Sequence, residues 1–181
     1  MQHRRVVATG LGMVCPVGND VATSWEAMLA GRSGIGLITR FDTSGLQCRI
    51  AGEVKGFDVA SYMPPKEARR LDTFIHYGVA ASAQAIKDSG LEISDANRER
   101  IGCVIGSGIG GLPMIEDNHT ELMNRGPRRV SPFLIPGSIS NMIAGTVSIQ
   151  YGLQGPNLAI VTACTTGLHS IGDAGRLIEH D

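Results

Sequence analysis

The feature that most constrains the fold is a continuous apolar run, residues 101–105, which leads directly into the loop Gly-Ser-Gly-Ile-Gly-Gly. A strand without polar alternation is covered on both faces, as in a parallel sheet between layers of helices. Pro113 then favours the start of a helix. The chain has 24 glycines but only 4% aromatic residues, so backbones must approach closely. We predict an α/β fold of tightly packed helix and sheet layers.

Further elements are predicted on both sides of this run. Residues 5–12 have the β-branched composition of a strand that ends in glycine, and residues 21–29 form a helix capped by Asn19 or Asp20. Residues 66–89 are the longest helical candidate, because apolar side chains recur at i, i+3 and i+4 until Gly90. Loops and short strands are expected over residues 31–36 and 43–56.

Charge and cysteine spacing exclude several classes of function. A formal net charge of −1 provides no general attraction to nucleic acid or to an anionic membrane. The cysteines at positions 15, 48, 103 and 164 form neither a metal knuckle nor a dense disulfide framework. No apolar run reaches the ~18 to 20 residues of a membrane span, and the start lacks a signal-peptide pattern. We expect a soluble cytoplasmic protein with free thiols and no metal.

Cys164 is the candidate nucleophile. It lies between a predicted strand, residues 158–163, and a predicted helix, residues 165–179, which we expect to be deeply buried. The free N–H groups and positive dipole end of a helix favour thiolate over thiol. The same N–H groups can donate hydrogen bonds to the oxyanion formed when a thiolate attacks a thioester. The alternative is an inert cysteine that serves as a small buried hydrophobe.

The sequence around Cys164 resembles a known signature. Residues 155–171, GPNLAIVTACTTGLHSI, are similar to the active-site motif of the β-ketoacyl-acyl carrier protein synthases. Residues 4–18 (RRVVATGLGMVCPVG), 101–111 (IGCVIGSGIGG) and 126–137 (GPRRVSPFLIPG) resemble other amino-terminal blocks of that family, in the same order. Among these enzymes the resemblance is strongest to the dissociated bacterial synthases of the synthase II group.

This resemblance implies a thiolase-like, layered αβαβα fold built from two related halves. Residues 1–181 would form most of the amino-terminal half, without the carboxy-terminal half. The implied reaction is a decarboxylating Claisen condensation in fatty acid elongation, with an acyl group on Cys164 and malonyl-acyl carrier protein as the second substrate. The complete enzyme would be a homodimer without a bound cofactor.

The family's two catalytic histidines and its lysine belong to carboxy-terminal motifs that this sequence lacks. His169 follows Cys164 by five positions, a spacing that points it away from the cysteine on a helix. We therefore expect the 181-residue chain by itself to be inactive in condensation.

The resemblance also implies an acyl pocket and a docking surface for the acidic acyl carrier protein. The pocket residues would be Gly108, Ile109, Phe133 and Leu134. Leu134 stands where the family usually has a second aromatic residue. The docking residues would be Lys66, Arg69, Arg70, Arg128 and Arg129. A solvated basic face is the alternative for these five cations.

Two other classes of protein are weighed against this interpretation. The first is a non-catalytic structural or chain-length partner of another synthase, which Cys164 disfavours because such partners usually lack the cysteine. The second is a nucleotide-binding domain, because residues 106–111 satisfy G-x-G-x-x-G between a strand and a helix. No acidic residue closes a βαβ unit about 20 positions later, so this match is weak.

Overall fold

Helices predominate over short strands in the fold. The structure, a computed structural model, describes residues 4–180. Its helices are α1 Val21–Leu29, α2 Pro65–Ala68, α3 Thr73–Ser89, α4 Leu112–Arg125, α5 Leu134–Ser138, α6 Met142–Tyr151 and α7 Thr166–His180. Its strands are β1 Ile35–Leu37, β2 Ile50–Gly52, β3 Cys103–Val104 and β4 Asn157–Leu158. Single 3-10 turns cover Val59–Ser61, Arg98–Arg100, Pro127–Arg129 and Ala163–Thr165.

The core forms where α3 crosses α6. Ile75 and Val79 of α3 are completely buried, and they belong to one cluster with Ile143 and Val147 of α6. Gly78 of α3 allows this approach, since a Cβ at that position would collide with the Ile143 side chain. Cys103 of β3 belongs to the same cluster, so β3 is anchored in the core.

The predicted single helix over residues 66–89 is wrong, because the chain turns between α2 and α3. Asp72 is the N-cap of α3, but its side chain accepts a hydrogen bond from the backbone N–H of Met114 in α4, at 2.9 Å. The N–H of Asp72 donates to the carbonyl of Gly137, at 3.0 Å. These two long-range bonds take the place of helical bonds at Asp72. The predicted end of the helix at Gly90 is confirmed, with φ of 65°.

The amino-terminal predictions have mixed outcomes. Helix α1 is confirmed at its predicted bounds, with Asp20 as its cap. The predicted strand over residues 5–12 is wrong. The N–H of Leu11 donates to the carboxylate of Asp88, and the N–H of Met13 donates to the side-chain oxygen of Gln84. At the end of this segment, backbone N–H groups therefore bond to side chains of α3 and not to a neighbouring strand.

Strands β3 and β4 form a parallel pair, in which Cys103 lies opposite Asn157 and Val104 lies opposite Leu158. Both are shorter than the predicted strands, residues 101–105 and 158–163. Because parallel strands end at the same edge, the segments that follow β3 and β4 emerge together. This pairing brings the glycine loop towards Cys164.

The prediction that the last helix is deeply buried is wrong for the described residues. Only Thr166 and Ser170 of α7 are buried, whereas the side chains of Leu168 and Ile171 are exposed by 76% and 71%. One face of α7 lies near β3, and no described element covers the opposite face. Between β3 and the carboxyl end of α7 there is an open cavity of about 760 Å³, lined in part by Val104 and apolar residues of α7. Within residues 4–180, no helix is long and apolar enough to cross a membrane.

Candidate active site

Cys164 lies at the centre of the 3-10 turn Ala163–Thr165, directly before α7. Cys164 is exposed to solvent. The turn is closed by two bonds to the carbonyl of Thr162, from the N–H of Thr165 at 3.2 Å and from its hydroxyl at 2.7 Å. The exposed thiol is thus next to the amino end of a helix, where backbone N–H groups lack helical partners.

The residue before the cysteine has an unusual backbone conformation. Ala163 has φ of 52°, and it is the single non-glycine residue with positive φ in the described part of the chain. This left-handed conformation costs roughly 1–2 kcal/mol for an alanine. The buried hydroxyl of Thr166 stabilises it, because it donates to the carbonyl of Ala163 at 2.8 Å and accepts from the N–H of Thr162 at 2.9 Å. The turn therefore has one fixed shape.

The glycine loop, residues 106–111, packs against this turn. A Cβ at Gly106 would collide with the carbonyl of Ile160 and would lie 2.6 Å from the Thr166 methyl group. A Cβ at Gly108 would lie 3.7 Å from the Cα of Ala163. Ile109, at the middle of the loop, has a side chain exposed by 77%. The structure thus brings Gly108 and Ile109 next to the segment that carries Cys164.

Phe133 and Leu134 lie at the start of α5. Phe133 lines a cavity of about 540 Å³ together with Arg70, Leu71 and Ile149. Cys164, Ile109 and Leu134 are not among the lining residues of that cavity. The structure therefore brings Gly108 and Ile109 next to the Cys164 segment, whereas Phe133 lines a separate cavity.

The five predicted docking cations also differ in their surroundings. Lys66 lies in α2 and Arg69 caps it, and both are exposed; Arg128 and Arg129 are exposed in the turn Pro127–Arg129. Arg70 is half-buried, and its guanidinium carbon lies 4.4 Å from the centre of the Phe133 ring. This distance is within the range of a cation–π interaction. The predicted docking and pocket groups are therefore in direct contact through Arg70 and Phe133.

His169, the nearest histidine in sequence to Cys164, has polar contacts on both ring nitrogens. Its Nδ1 lies 3.4 Å from the Thr162 hydroxyl, and its Nε2 lies 3.8 Å from a carboxylate oxygen of Asp173. These contacts join the first turns of α7 to the residue before the Ala163–Thr165 turn.

The buried cysteine provides a contrast with Cys164. Burial raises the pKa of the Cys103 thiol above its ordinary value, because the surrounding core disfavours the thiolate. An inert, buried cysteine was the alternative role considered for Cys164. Cys103, and not Cys164, has that buried environment. Among residues 4–180, no group of three or more His, Cys, Asp or Glu side chains has the arrangement of a metal site.

Comparison with known proteins decides the family. The sequence model of the family described as "Beta-ketoacyl synthase, N-terminal domain" matches residues 3–181. The chain belongs to the β-ketoacyl synthase family. Over 180 residues it is 59% identical to the 3-oxoacyl-[acyl-carrier-protein] synthase 2 of Vibrio cholerae. The aligned region covers 99% of this chain and 44% of the relative. The same-named protein of Coxiella burnetii is 54% identical over 181 residues, again 44% of its length. The chain thus spans less than half the length of these curated relatives.

Solved ketosynthase structures share the fold. A ketosynthase in complex with its type II polyketide acyl-carrier protein has a TM-score of 0.81 and 28% sequence identity to this chain. The match covers 98% of this chain and 48% of the ketosynthase chain. A β-ketoacyl synthase from Burkholderia phymatum has a TM-score of 0.78 and 25% identity over 95% of this chain and 43% of its own. The predicted thiolase-like fold and the predicted β-ketoacyl synthase family are therefore confirmed. The nucleotide-binding alternative is not supported by these matches.

Three features of the site were missed by sequence reasoning. They are the left-handed Ala163, the contact of Arg70 with Phe133, and the break at Asp72. Only the break has a local signal, because aspartate before Thr73 is a favoured N-cap residue. The other two depend on contacts that no sequence spacing indicates.

Proposed function

We propose that residues 1–181 form the amino-terminal half of a β-ketoacyl-acyl carrier protein synthase of the synthase II type, with Cys164 as its nucleophile. The observation that carries this proposal is the exposed thiol in a fixed turn at the amino end of α7, with the glycine loop packed against it. Several relatives that match the chain are 3-oxoacyl-[acyl-carrier-protein] synthases 2.

The chemistry proposed for Cys164 begins with acyl transfer. The thiolate attacks the carbonyl of an acyl-carrier thioester and a new S–C bond forms. The bond from the carbonyl carbon to the carrier sulfur breaks, and the carrier thiolate leaves and takes up the proton that the Cys164 thiol had released. A malonyl thioester then loses CO₂, and the electron pair of the broken C–C bond becomes a carbanion. This carbanion attacks the acyl carbonyl, a C–C bond forms, and the Cys164 thiolate leaves. The product is a β-ketoacyl thioester two carbons longer.

The exposed apolar face of α7 supports the proposal that this half is covered by a second one. Leu168 and Ile171 project from a helix of which only Thr166 and Ser170 are buried. Exposed apolar side chains adjacent to a reactive thiol are typical of a surface that another part of the protein covers. We place the carboxy-terminal half there, together with the histidines and lysine that the decarboxylation step needs.

The test uses the complete synthase that contains this sequence. It is incubated with an acyl-carrier thioester, and its peptides are examined by mass spectrometry. We expect the acyl mass on the peptide of Cys164, its loss in Cys164→Ala, and its retention in the matched control Cys48→Ala, which removes another exposed thiol. The 181-residue chain by itself should form no β-ketoacyl product. Acylation that persists in Cys164→Ala, or condensation by the chain itself, would refute the proposal.

The acyl carrier protein is the proposed partner, since its acidic surface would complement the exposed cations Lys66, Arg69, Arg128 and Arg129. One structural neighbour is a ketosynthase in complex with an acyl-carrier protein. The proposed docking residues are Lys66, Arg69, Arg70, Arg128 and Arg129. Lys66→Glu and Arg69→Glu should raise KM for the carrier, most strongly at low salt. Arg70→Gln should also change the acyl-length profile, because it removes the guanidinium from Phe133. Equal KM values for all three variants would contradict this docking surface.

A chain-length or structural partner is the second candidate function. One neighbour, the ishigamide ketosynthase/chain length factor, has a TM-score of 0.76 and 26% identity over 96% of this chain. The acylation experiment separates the two candidates, because a non-catalytic partner carries no acyl group. Homodimerisation of the complete protein, its cytoplasmic location and its independence of cofactors remain predictions of the resemblance. Sedimentation of the complete protein tests the first.

A further inference from the structure

Asp72 is a buried carboxylate that the proposed chemistry does not use. Only 7% of the residue is exposed. From its place in the fold, we infer that Asp72 is a positioning residue, which anchors the glycine loop beside Cys164 and so sets the acyl length that the site accepts. The part of this inference that concerns acyl length rests on the proposed function. The anchoring itself does not.

The contacts of Asp72 converge on the carboxyl end of the loop. Its carboxylate accepts from the N–H of Met114, in the first turn of α4, at 2.9 Å. A Cβ at Gly111 would lie 2.9 Å from the Cβ of Asp72 and 3.0 Å from its carboxylate. Asp72 therefore holds the start of α4 and leaves room only for glycine at the last position of the loop.

The other side of the same loop end is held by α5. The N–H of Gly111 donates to the carbonyl of Ser138 at 2.8 Å, and Gly110 has φ of 98°. The N–H of Asp72 donates to the carbonyl of Gly137 at 3.0 Å, so Asp72 and α5 form one rigid support. The end of the loop thus lies between the buried Asp72 carboxylate and the carbonyl of Ser138, and the carbonyl of Gly137 holds Asp72 itself.

The amino end of the loop is held by the Cys164 turn. Gly106 abuts Ile160 and Thr166, and Gly108 lies beside Ala163. Between these two anchors, Ile109 is exposed by 77%, so packing does not fix its side chain and its position follows that of the loop backbone. A shift of the anchor at Asp72 therefore changes the position of Ile109 relative to Cys164, without changing the nucleophile itself.

The experiment compares two aspartates that cap helices in the complete synthase. Asp72→Ala removes the acceptor for the Met114 N–H, whereas the control Asp20→Ala removes the acceptor for the Thr23 N–H, at 2.7 Å, in α1. Hydrogen exchange is measured at the amides of Gly111 and Met114. Single-turnover acylation of Cys164 is measured with hexanoyl and tetradecanoyl carrier thioesters. Asp72→Asn keeps an oxygen acceptor and serves as the rescue variant.

We expect Asp72→Ala to accelerate exchange at Gly111 and Met114 at least about tenfold, and to change the hexanoyl-to-tetradecanoyl rate ratio at least about fivefold. Asp72→Asn should restore most of both effects, and Asp20→Ala should produce neither. Unchanged exchange in Asp72→Ala, or an equal change of the ratio in Asp20→Ala, would overturn the inference.

A second variant covers the case in which Asp72→Ala does not fold. Gly111→Ala keeps the carboxylate but forces the loop away from it, and should change the same rate ratio. If the unsubstituted synthase forms no acyl-Cys164, the proposed function fails. The exchange measurement still decides whether Asp72 anchors the loop.

Discussion

Thr166→Val tests how far the shape of the Cys164 turn depends on one buried hydroxyl. Thr166 is 6% exposed, and its hydroxyl donates to the carbonyl of Ala163 and accepts from the N–H of Thr162. Valine has nearly the same shape but no hydroxyl. The substitution therefore leaves two backbone groups without these partners while it preserves the packing.

The expected magnitude follows from these two bonds. Each contributes about 1 kcal/mol net, so local opening of the turn should become easier by about 2 kcal/mol, or roughly 30-fold. The left-handed conformation of Ala163 is present before and after the substitution, so its cost of roughly 1–2 kcal/mol does not enter this difference.

Hydrogen exchange of the Thr162 amide measures this opening, and the rate of Cys164 acylation measures its functional consequence. Thr165→Val is the matched control, because its exposed hydroxyl makes one bond to the carbonyl of Thr162 and none to Ala163. Ala163→Gly in the Thr166→Val background should restore part of the acylation rate, since glycine tolerates positive φ. Exchange of the Thr162 amide that is unchanged in Thr166→Val would refute the reasoning.

Three further predictions concern the core, the pocket and the thiols. Gly78→Ala should lower the free energy of unfolding by about 1–3 kcal/mol, because the added Cβ would collide with Ile143 of α6. The control Gly145→Ala adds a Cβ with ordinary contacts and should be neutral or slightly stabilising. Thermal denaturation measures both variants. Leu134→Phe should shift the acyl-length profile of the complete synthase towards shorter chains; an unchanged profile would remove Leu134 from the pocket. Iodoacetamide near neutral pH should label Cys164 and leave Cys103 unmodified until denaturation, because burial raises the pKa of the Cys103 thiol; rapid native labelling of Cys103 would contradict this.

Local patterns predicted several elements correctly. Helix α1 has its predicted bounds because Asp20 caps it within three residues, and α3 ends at Gly90 because a left-handed residue there needs no distant partner. Strands were predicted from the apolar runs that end in glycine or at Cys164, and β3 and β4 lie at these places but are shorter. These features depend on residues that are neighbours in sequence.

Predictions failed where distant contacts override local preference. The apolar periodicity over residues 66–89 continues through Asp72, but the partner that breaks the helix is Met114, 42 positions later. The burial expected of α7 fails because glycines at positions 167, 172 and 175 permit a close neighbour but do not provide one, and among residues 4–180 nothing covers Leu168 or Ile171. Residues 5–12 have strand composition, but the N–H groups of Leu11 and of the following Met13 bond to α3 side chains.

For the site, the sequence by itself predicted the nucleophile and determined the family. A cysteine between a strand and a helix, followed by small residues, is a local pattern with a chemical meaning, and the family comparison confirms the resemblance. Only the tertiary structure decided how that cysteine is held: the left-handed Ala163, the glycine loop against it, and Asp72 behind the loop. The physical reason is that a nucleophile is defined by its own atoms and its immediate neighbours, whereas its position is defined by hydrogen bonds between segments that only folding brings together.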